Sequence, residues 1–180
     1  MASSKFKTEQ YFSESFVESA GAVLFRLSTR EICLIRLLVN KKYILPKGRR
    51  NIAESRQTAA IREVAEETGY SCRILPVKML TRNPPAVETE PMADESRLHD
   101  HACEPFTLQI RHLAEDDVKI IWWFIAAINE ETNFNADAQE DDKFTVEFFD
   151  MQEAITKLTF KNDQEMVQKA VEIFLQTHPE

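Results

Sequence analysis

The chain has 180 residues, 43% of them hydrophobic and 29% charged, with a formal net charge of −8, values that fit one globular domain and exclude a disordered, collagen-like or low-complexity polypeptide. The longest apolar run, Ile120 to Ile128, is strand length and far short of the roughly 20 residues a membrane helix needs, so no membrane partner is expected. Three scattered cysteines, Cys33, Cys72 and Cys103, form no CxxC pair, and the N-terminus MASSKFKTEQYFSESF has no apolar h-region; the expected setting is cytoplasmic, with a nuclear one open and a secreted one only if a signal peptide has been removed.

Residues 1–17 read as an N-terminal extension and 18–176 as a single domain. Ser19–Leu27 and Ile32–Val39 are β-branched apolar runs separated by Ser28-Thr29-Arg30-Glu31, the pattern of a hairpin. A short strand follows at Tyr43–Leu45 and stops at Pro46. From Ala53 to Thr68 the apolar period becomes helical, closed by Gly69 in the position where a left-handed residue ends a helix. Ser71–Leu80 reads as a strand, and 83–104, rich in Pro, Asp, Glu and His, as a long loop. Phe106–Leu113 and Val118–Ile128 form a second hairpin pattern. A polar stretch then runs to Lys143, followed by a strand at Thr145–Phe149 and helices at Met151–Leu158 and Asp163–Gln176. Hairpins interspersed with helices predict a mixed sheet covered by helices, an α+β arrangement rather than a regular βαβ array.

Charge is unevenly spread. Residues 26–82 hold thirteen cations against five glutamates, a balance of +8, which leaves −16 for the rest of the chain. The acidic stretches read as solvated loops and the basic segment as a surface for a phosphate-rich ligand.

On a wheel of about 100° per residue with Glu63 at zero, Glu67 falls near 40° and Glu66 near −60°, opposite Ile61, Val64, Ala65 and Thr68. Three carboxylates thus crowd one face. Glu66 and Glu67 also lie in the last turn, where the helix dipole disfavours anions, and Glu63 repels Glu67 at i,i+4. Arg62 can offset only part of that charge, and clustered hard oxygens suit Mg²⁺ or Mn²⁺.

Gly48, five residues, Glu54, seven residues, then Arg62-Glu63-Val64-Ala65-Glu66-Glu67-Thr68-Gly69-Tyr70 resembles the Nudix box, G-x5-E-x7-R-E-U-x-E-E-x-G-U. Seven fixed residues would coincide by chance on the order of 10⁻⁸ per starting position. The one departure is Tyr70 in a usually aliphatic slot, which an aromatic ring can fill. The resemblance extends over residues 18–176 and implies a Nudix-type mixed β-sheet sandwiched between helices. By position it implies metal ligation by Glu63, Glu66, Glu67 and the Gly48 carbonyl, with Arg62 and Glu54 holding the glutamates. The cofactor implied is Mg²⁺, or Mn²⁺, whose charge screens a phosphoanhydride and activates water for attack at phosphorus. The general base is either Glu63 or a carboxylate from a later segment; Glu140, Asp141, Asp142 and Glu147 are the candidates.

The box alone does not choose a substrate. Leu45-Pro46-Lys47-Gly48, the cations Lys41, Lys42, Lys47, Arg49 and Arg50, and the segment Phe144–Ile155 are similar to the diphosphoinositol polyphosphate and diadenosine polyphosphate hydrolases. The resemblance therefore implies a highly phosphorylated small molecule, diphosphoinositol polyphosphates first, then dinucleoside polyphosphates, with ADP-ribose and capped RNA as further alternatives. A non-catalytic phospho-ligand binding module and a structural interaction domain are the competing classes. His99 and His101 lack a third ligand at metal-site spacing, Cys103 is expected to be inert, and of Trp122 and Trp123 one belongs in the core while the other reads as ordinary surface, with stacking on a base as the alternative.

Overall fold

The computed structural model describes residues 5–85, 87, 93–113, 116–132 and 143–179. In chain order its elements are β1 (Phe16–Arg26), β2 (Glu31–Leu37), β3 (Tyr43–Ile44), β4 (Lys47–Arg49), α1 (Arg56–Thr68), β5 (Cys72–Ile74), β6 (Val77–Thr81), β7 (Arg97–Ala102), β8 (Thr107–His112), β9 (Val118–Ile128), β10 (Phe144–Asp150), α2 (Met151–Lys157) and α3 (Lys161–Thr177). The main sheet runs β10-β2-β1-β9-β5, with β3 on β2, β4 on β1 and β8 on β9; β6 and β7 form a separate ribbon. Its centre is the parallel pair β1 and β9, in register from Phe16 opposite Val118 to Phe25 opposite Ala127. Both strands are almost continuously apolar because helices cover both faces.

Alternation along β1 sends Ala20, Ala22 and Leu24 to one face, where they pack with Ala59, Ala60 and Val64 of α1 and with Phe124 and Ala126 of β9. The small side chains let the helix sit close to the sheet. Val23 and Phe25 point the other way, into a core with Ile121, Trp123, Ile125 and the inner faces of α2 and α3. There Phe25 stacks on Phe174 with ring centroids 4.4 Å apart. Burying one such phenyl ring is worth roughly 1.5–3 kcal/mol. The expected α+β sandwich is therefore the observed one.

Four local differences have physical reasons. The strand expected over Ser71–Leu80 is two: Leu75 donates to the Ile125 carbonyl at 2.9 Å, Pro76 has no N–H to continue the ladder, and β5 joins β9 whereas β6 joins β7. The loop expected over 83–104 contains β7. Its composition reads as loop because Leu98, Asp100 and His101 face solvent, and its order comes from β6, through pairs such as Leu80 opposite Leu98. Helix α1 starts at Arg56 rather than Ala53, because the Ser55 side chain accepts from the Thr58 N–H as N-cap. Finally, Lys47–Arg49 forms β4 against Ser19–Gly21. Gly21 permits this approach: a Cβ there would collide with the Pro46 carbonyl, the Lys47 side chain and Trp123.

Candidate functional site

Strand β4 is an edge. Ala22 N–H donates to the Pro46 carbonyl and Arg50 N–H to the Glu18 carbonyl, which places the ladder bonds on even positions of β1 and turns the Lys47 and Arg49 peptide groups outward. Those outward groups are not left to water. The Lys47 N–H donates to Glu67 Oε2 at 2.8 Å, and the Arg49 carbonyl accepts from Arg62 Nη2 at 2.9 Å. The last turns of α1 thus seal the edge strand with a carboxylate and a guanidinium.

Arg62 is the hub. Its Nε and Nη2 fork onto the two Glu54 oxygens, both at 2.9 Å, and its Nη1 donates to Glu63 Oε1 at 2.8 Å and Glu66 Oε2 at 3.0 Å. The fork geometry is what a guanidinium supplies and an ammonium cannot. Arg62, followed by the Asn51 N–H, holds the Glu54 carboxyl down at about 2. Gly48 lies directly against the Glu63 carboxylate, so that any Cβ at this position would overlap it. Burial pushes Glu67 up to about 7, against the lowering effect of the Lys47 N–H. The helix ends as expected, with Gly69 at φ 75° and its N–H on the Ala65 carbonyl.

Glu63, Glu66 and Glu67 therefore line one edge, with hard oxygen atoms and no sulfur or imidazole, a donor set that fits Mg²⁺ or Mn²⁺. Among the described residues no three such groups converge into a ready-made cage: Arg62 Nη1 holds Glu63 and Glu66 together, while the Lys47 N–H holds Glu67 at β4. A cation would draw them together, which is easiest for Glu66, 58% exposed, and harder for Glu63, 12% exposed, and for the half-buried Glu67. The Gly48 peptide faces Ala20 across the ladder, so a cation at its carbonyl would share that oxygen with the strand pair.

The expected cations separate into three groups. Lys47 and Arg49 stand opposite Gly21 and Ser19 on the sheet face turned away from α1. Arg50 is committed elsewhere: its Nε and Nη2 hold Glu18 Oε2 at 2.8 Å and its Nη1 the Glu54 carbonyl at 2.8 Å, so it braces the loop instead of offering free donors. Lys41 lies exposed just after the turn at 38–40, and the Lys42 ammonium sits 5.3 Å from the Phe160 ring at the start of α3; neither contacts the glutamates. Glu147 accepts from the Tyr43 hydroxyl at 2.9 Å and faces Arg36 at 3.6 Å, a structural pairing on β10. Glu140, Asp141 and Asp142 lie outside the described residues.

Glu18 is the residue that sequence reasoning missed. It takes Arg50, Arg56 and the Trp122 indole N–H, each at 2.8–2.9 Å; burial alone would raise its carboxyl, and these donors bring it below the usual range. Arg56 also lies 3.9 Å over the Trp122 ring, where it competes with a base for the indole, while Trp123 is core at 1% exposure. Nothing in the sequence marks Glu18 except a charge just before a buried run. Tyr70 packs edge-on against Phe148 with centroids 5.3 Å apart, filling its slot as expected. Burial and Glu104 hold the Cys103 thiol above its usual range, as an inert cysteine requires. Helices long and apolar enough to cross a membrane are absent among the described residues.

A family profile described as NUDIX domain matches residues 16–170. Among solved structures, a NUDIX hydrolase from Nitrosomonas europaea is similar, with 16% identity, a TM-score of 0.55, and 88% of this chain and 87% of that one covered. A C. elegans Ap4A hydrolase gives 16% identity and a TM-score of 0.55, covering 88% and 98%. A NUDIX-family hydrolase from Clostridium perfringens gives 14% and 0.54, covering 91% and 99%. At such identities the likeness is one of fold. No curated protein sequence matches this chain.

Proposed function

Because the chain belongs to the Nudix family, we propose that it is a metal-dependent hydrolase of phosphoanhydride bonds in highly phosphorylated small molecules, diphosphoinositol polyphosphates first. The observation that carries this reading is the β4 edge, where Glu63, Glu66 and Glu67 are held by Arg62 and the Lys47 N–H beside Gly48. A divalent cation bound by these carboxylates supplies neutralisation of the anhydride and activation of the attacking water. The chain's own residues do the rest. Glu54 and Arg62 fix the angle from which the glutamates approach, and Glu63, the most enclosed against Gly48, is the in-box candidate to accept the proton of the attacking water. Lys47 and Arg49 meet further phosphates on the other side of the strand.

Two observations support the substrate choice. Cations dominate the neighbourhood of β4, and Arg56 lies 3.9 Å over the Trp122 ring, where it competes with an adenine for that aromatic face. Dinucleoside polyphosphates remain the second reading, since their linked phosphates present the same chemistry to the glutamates, and the fold is shared with the C. elegans Ap4A hydrolase.

Chromatographic separation of the hydrolysis products formed with Mg²⁺ from a diphosphoinositol pentakisphosphate, diadenosine tetraphosphate, ADP-ribose and capped RNA tests both levels. The highest kcat/KM is expected on the diphosphoinositol. Preference for the dinucleotide would replace the substrate, and inertness toward all four would replace the enzyme by a binding module.

A further inference from the structure

Strand register assembles a second group of charges that the box does not contain. On the face turned away from α1, Val17 of β1 stands opposite Lys119 of β9, which stands opposite Arg111 of β8. In the neighbouring rows Arg49, Ser19, Ile121 and Gln109 are aligned, then Lys47, Gly21, Trp123 and Thr107. Side chains of one row and the next-but-one share a face, so Lys47 and Arg49 form one wall, Lys119 and Arg111 the other, and Ser19 and Gly21 a low floor between. Two strand spacings of about 4.8 Å separate β4 from Lys119 on β9, and three separate it from Arg111 on β8.

Three of these four cations have no ion pair among the described residues. Among the described residues no carboxylate lies within ion-pair distance of Lys47, Arg49 or Lys119, and Arg111 meets only Asp163, at 3.9 Å. Burial, then the charges of Lys47, Arg111 and Arg49, hold the Lys119 ammonium below the usual lysine range, the mark of a cation among cations. Beyond these rows lies a cavity of about 640 Å³ that has Arg111 in common with them and is lined also by Gln109, Phe160, Lys161, Asn162 and Asp163. Gln109 braces the junction, accepting from the Trp123 indole at 3.2 Å and from Arg111 at 3.1 Å. The glutamates of α1 do not line that cavity.

We propose that Lys119 and Arg111, facing Lys47 and Arg49 across Ser19 and Gly21, form an anion-binding trough for the phosphates of a ligand that lie beyond the anhydride held at the glutamates. Mutual repulsion among four cations is relieved only when an anion with several charges enters. Lys47 links the two halves, its N–H on Glu67 and its side chain on the trough. The assignment of the trough's occupant as substrate rests on the hydrolase reading; the anion site itself does not.

Calorimetric titration of inorganic tripolyphosphate in EDTA tests the trough without metal or turnover. The parent should bind, Lys119→Met should bind about tenfold more weakly with a shallower dependence on salt, and Lys119→Arg should restore most of the loss. Arg49→Gln, on an exposed side chain of the opposite wall, should give a similar loss, and Arg82→Met, an exposed cation after β6 that pairs with Asp94, should give none. Absence of binding by the parent, or parental affinity and salt slope in both Lys119→Met and Arg49→Gln, overturns the proposal. Hydrolysis assayed separately with Mg²⁺ keeps the two readings apart: a trough that binds in a chain that cleaves no anhydride sinks the hydrolase alone, and cleavage with unchanged tripolyphosphate binding in the variants sinks the trough alone.

Discussion

The two sides of β4 are opposites in charge and in satisfaction. Toward α1 the strand meets carboxylates that are gathered, oriented and hydrogen-bonded by Arg62 and the Lys47 N–H. Toward the other face it presents Lys47 and Arg49, which among the described residues pair with no carboxylate and stand near the further cation Lys119. The difference teaches where preorganisation lies. The carboxylate side is built in advance and needs only small movements, as catalytic groups do. The cationic side stores repulsion that an incoming anion relieves, as a binding surface does.

The largest expected break in this contrast is Glu67→Gln, which keeps the shape and the Lys47 contact but removes a charge from the metal-facing edge. Loss of several kcal/mol of transition-state stabilisation means a fall in kcat/KM of about a hundredfold or more, with the thermal melt little changed; parental activity at saturating Mg²⁺ would falsify the assignment of this carboxylate. Next comes Arg50→Glu, which places an anion against Glu18 and the Glu54 carbonyl. Breaking this half-buried pair should cost about 2–3 kcal/mol of stability, a melting point roughly 5–10 °C lower for a chain of this size. An undisturbed melt with weakened substrate binding would return Arg50 to the ligand side. Arg49→Glu is the matched probe on the exposed side: about tenfold weaker kcat/KM on a polyphosphate substrate, or about 1.4 kcal/mol, a shallower salt dependence and an unchanged melt. Equal salt slopes in parent and variant would make Arg49 ordinary surface.

The smallest effect concerns acid. Because Arg62 holds Glu54 at about 2 in the folded chain, against about 4.3 when unfolded, this pairing stabilises the fold fully above the unfolded value. The contribution then drains away as pH falls from there through about 2. Glu54→Gln should flatten that part of the acid-denaturation curve, and identical curves would show that another carboxylate carries it.

Legibility followed sequence distance. Gly48, Glu54, Arg62 and the three glutamates act on each other within 20 positions, so helical spacing could place the carboxylates on one face, whereas the role of Arg62 and Glu54 came from the resemblance and their fork from the fold alone. Arg50 read as a free cation because its partner, Glu18, lies 32 positions away on a strand whose register no local pattern reveals. Lys119 and Arg111 were likewise invisible as a pair with Lys47 and Arg49. Their meeting depends on three strand registers at once. The second hairpin and both C-terminal helices were readable from apolar periodicity, whereas β7 was not, since its polar, solvent-facing residues imitate a loop and its order is borrowed from β6.

The parallel pairing of β1 with β9 also sets a timetable. Every one of its contacts, starting with Phe16 opposite Val118, joins residues about a hundred positions apart, and closing such a loop costs about 4 kcal/mol in chain entropy by the logarithmic rule. The β4 edge needs only the segment from β1 to α1, much nearer in sequence. During synthesis that segment has emerged long before Ile128, so its apolar strand β1 waits with one side unpaired. Long-range closure of this kind makes folding slow, and the interval before β9 arrives is when the chain is most exposed to aggregation.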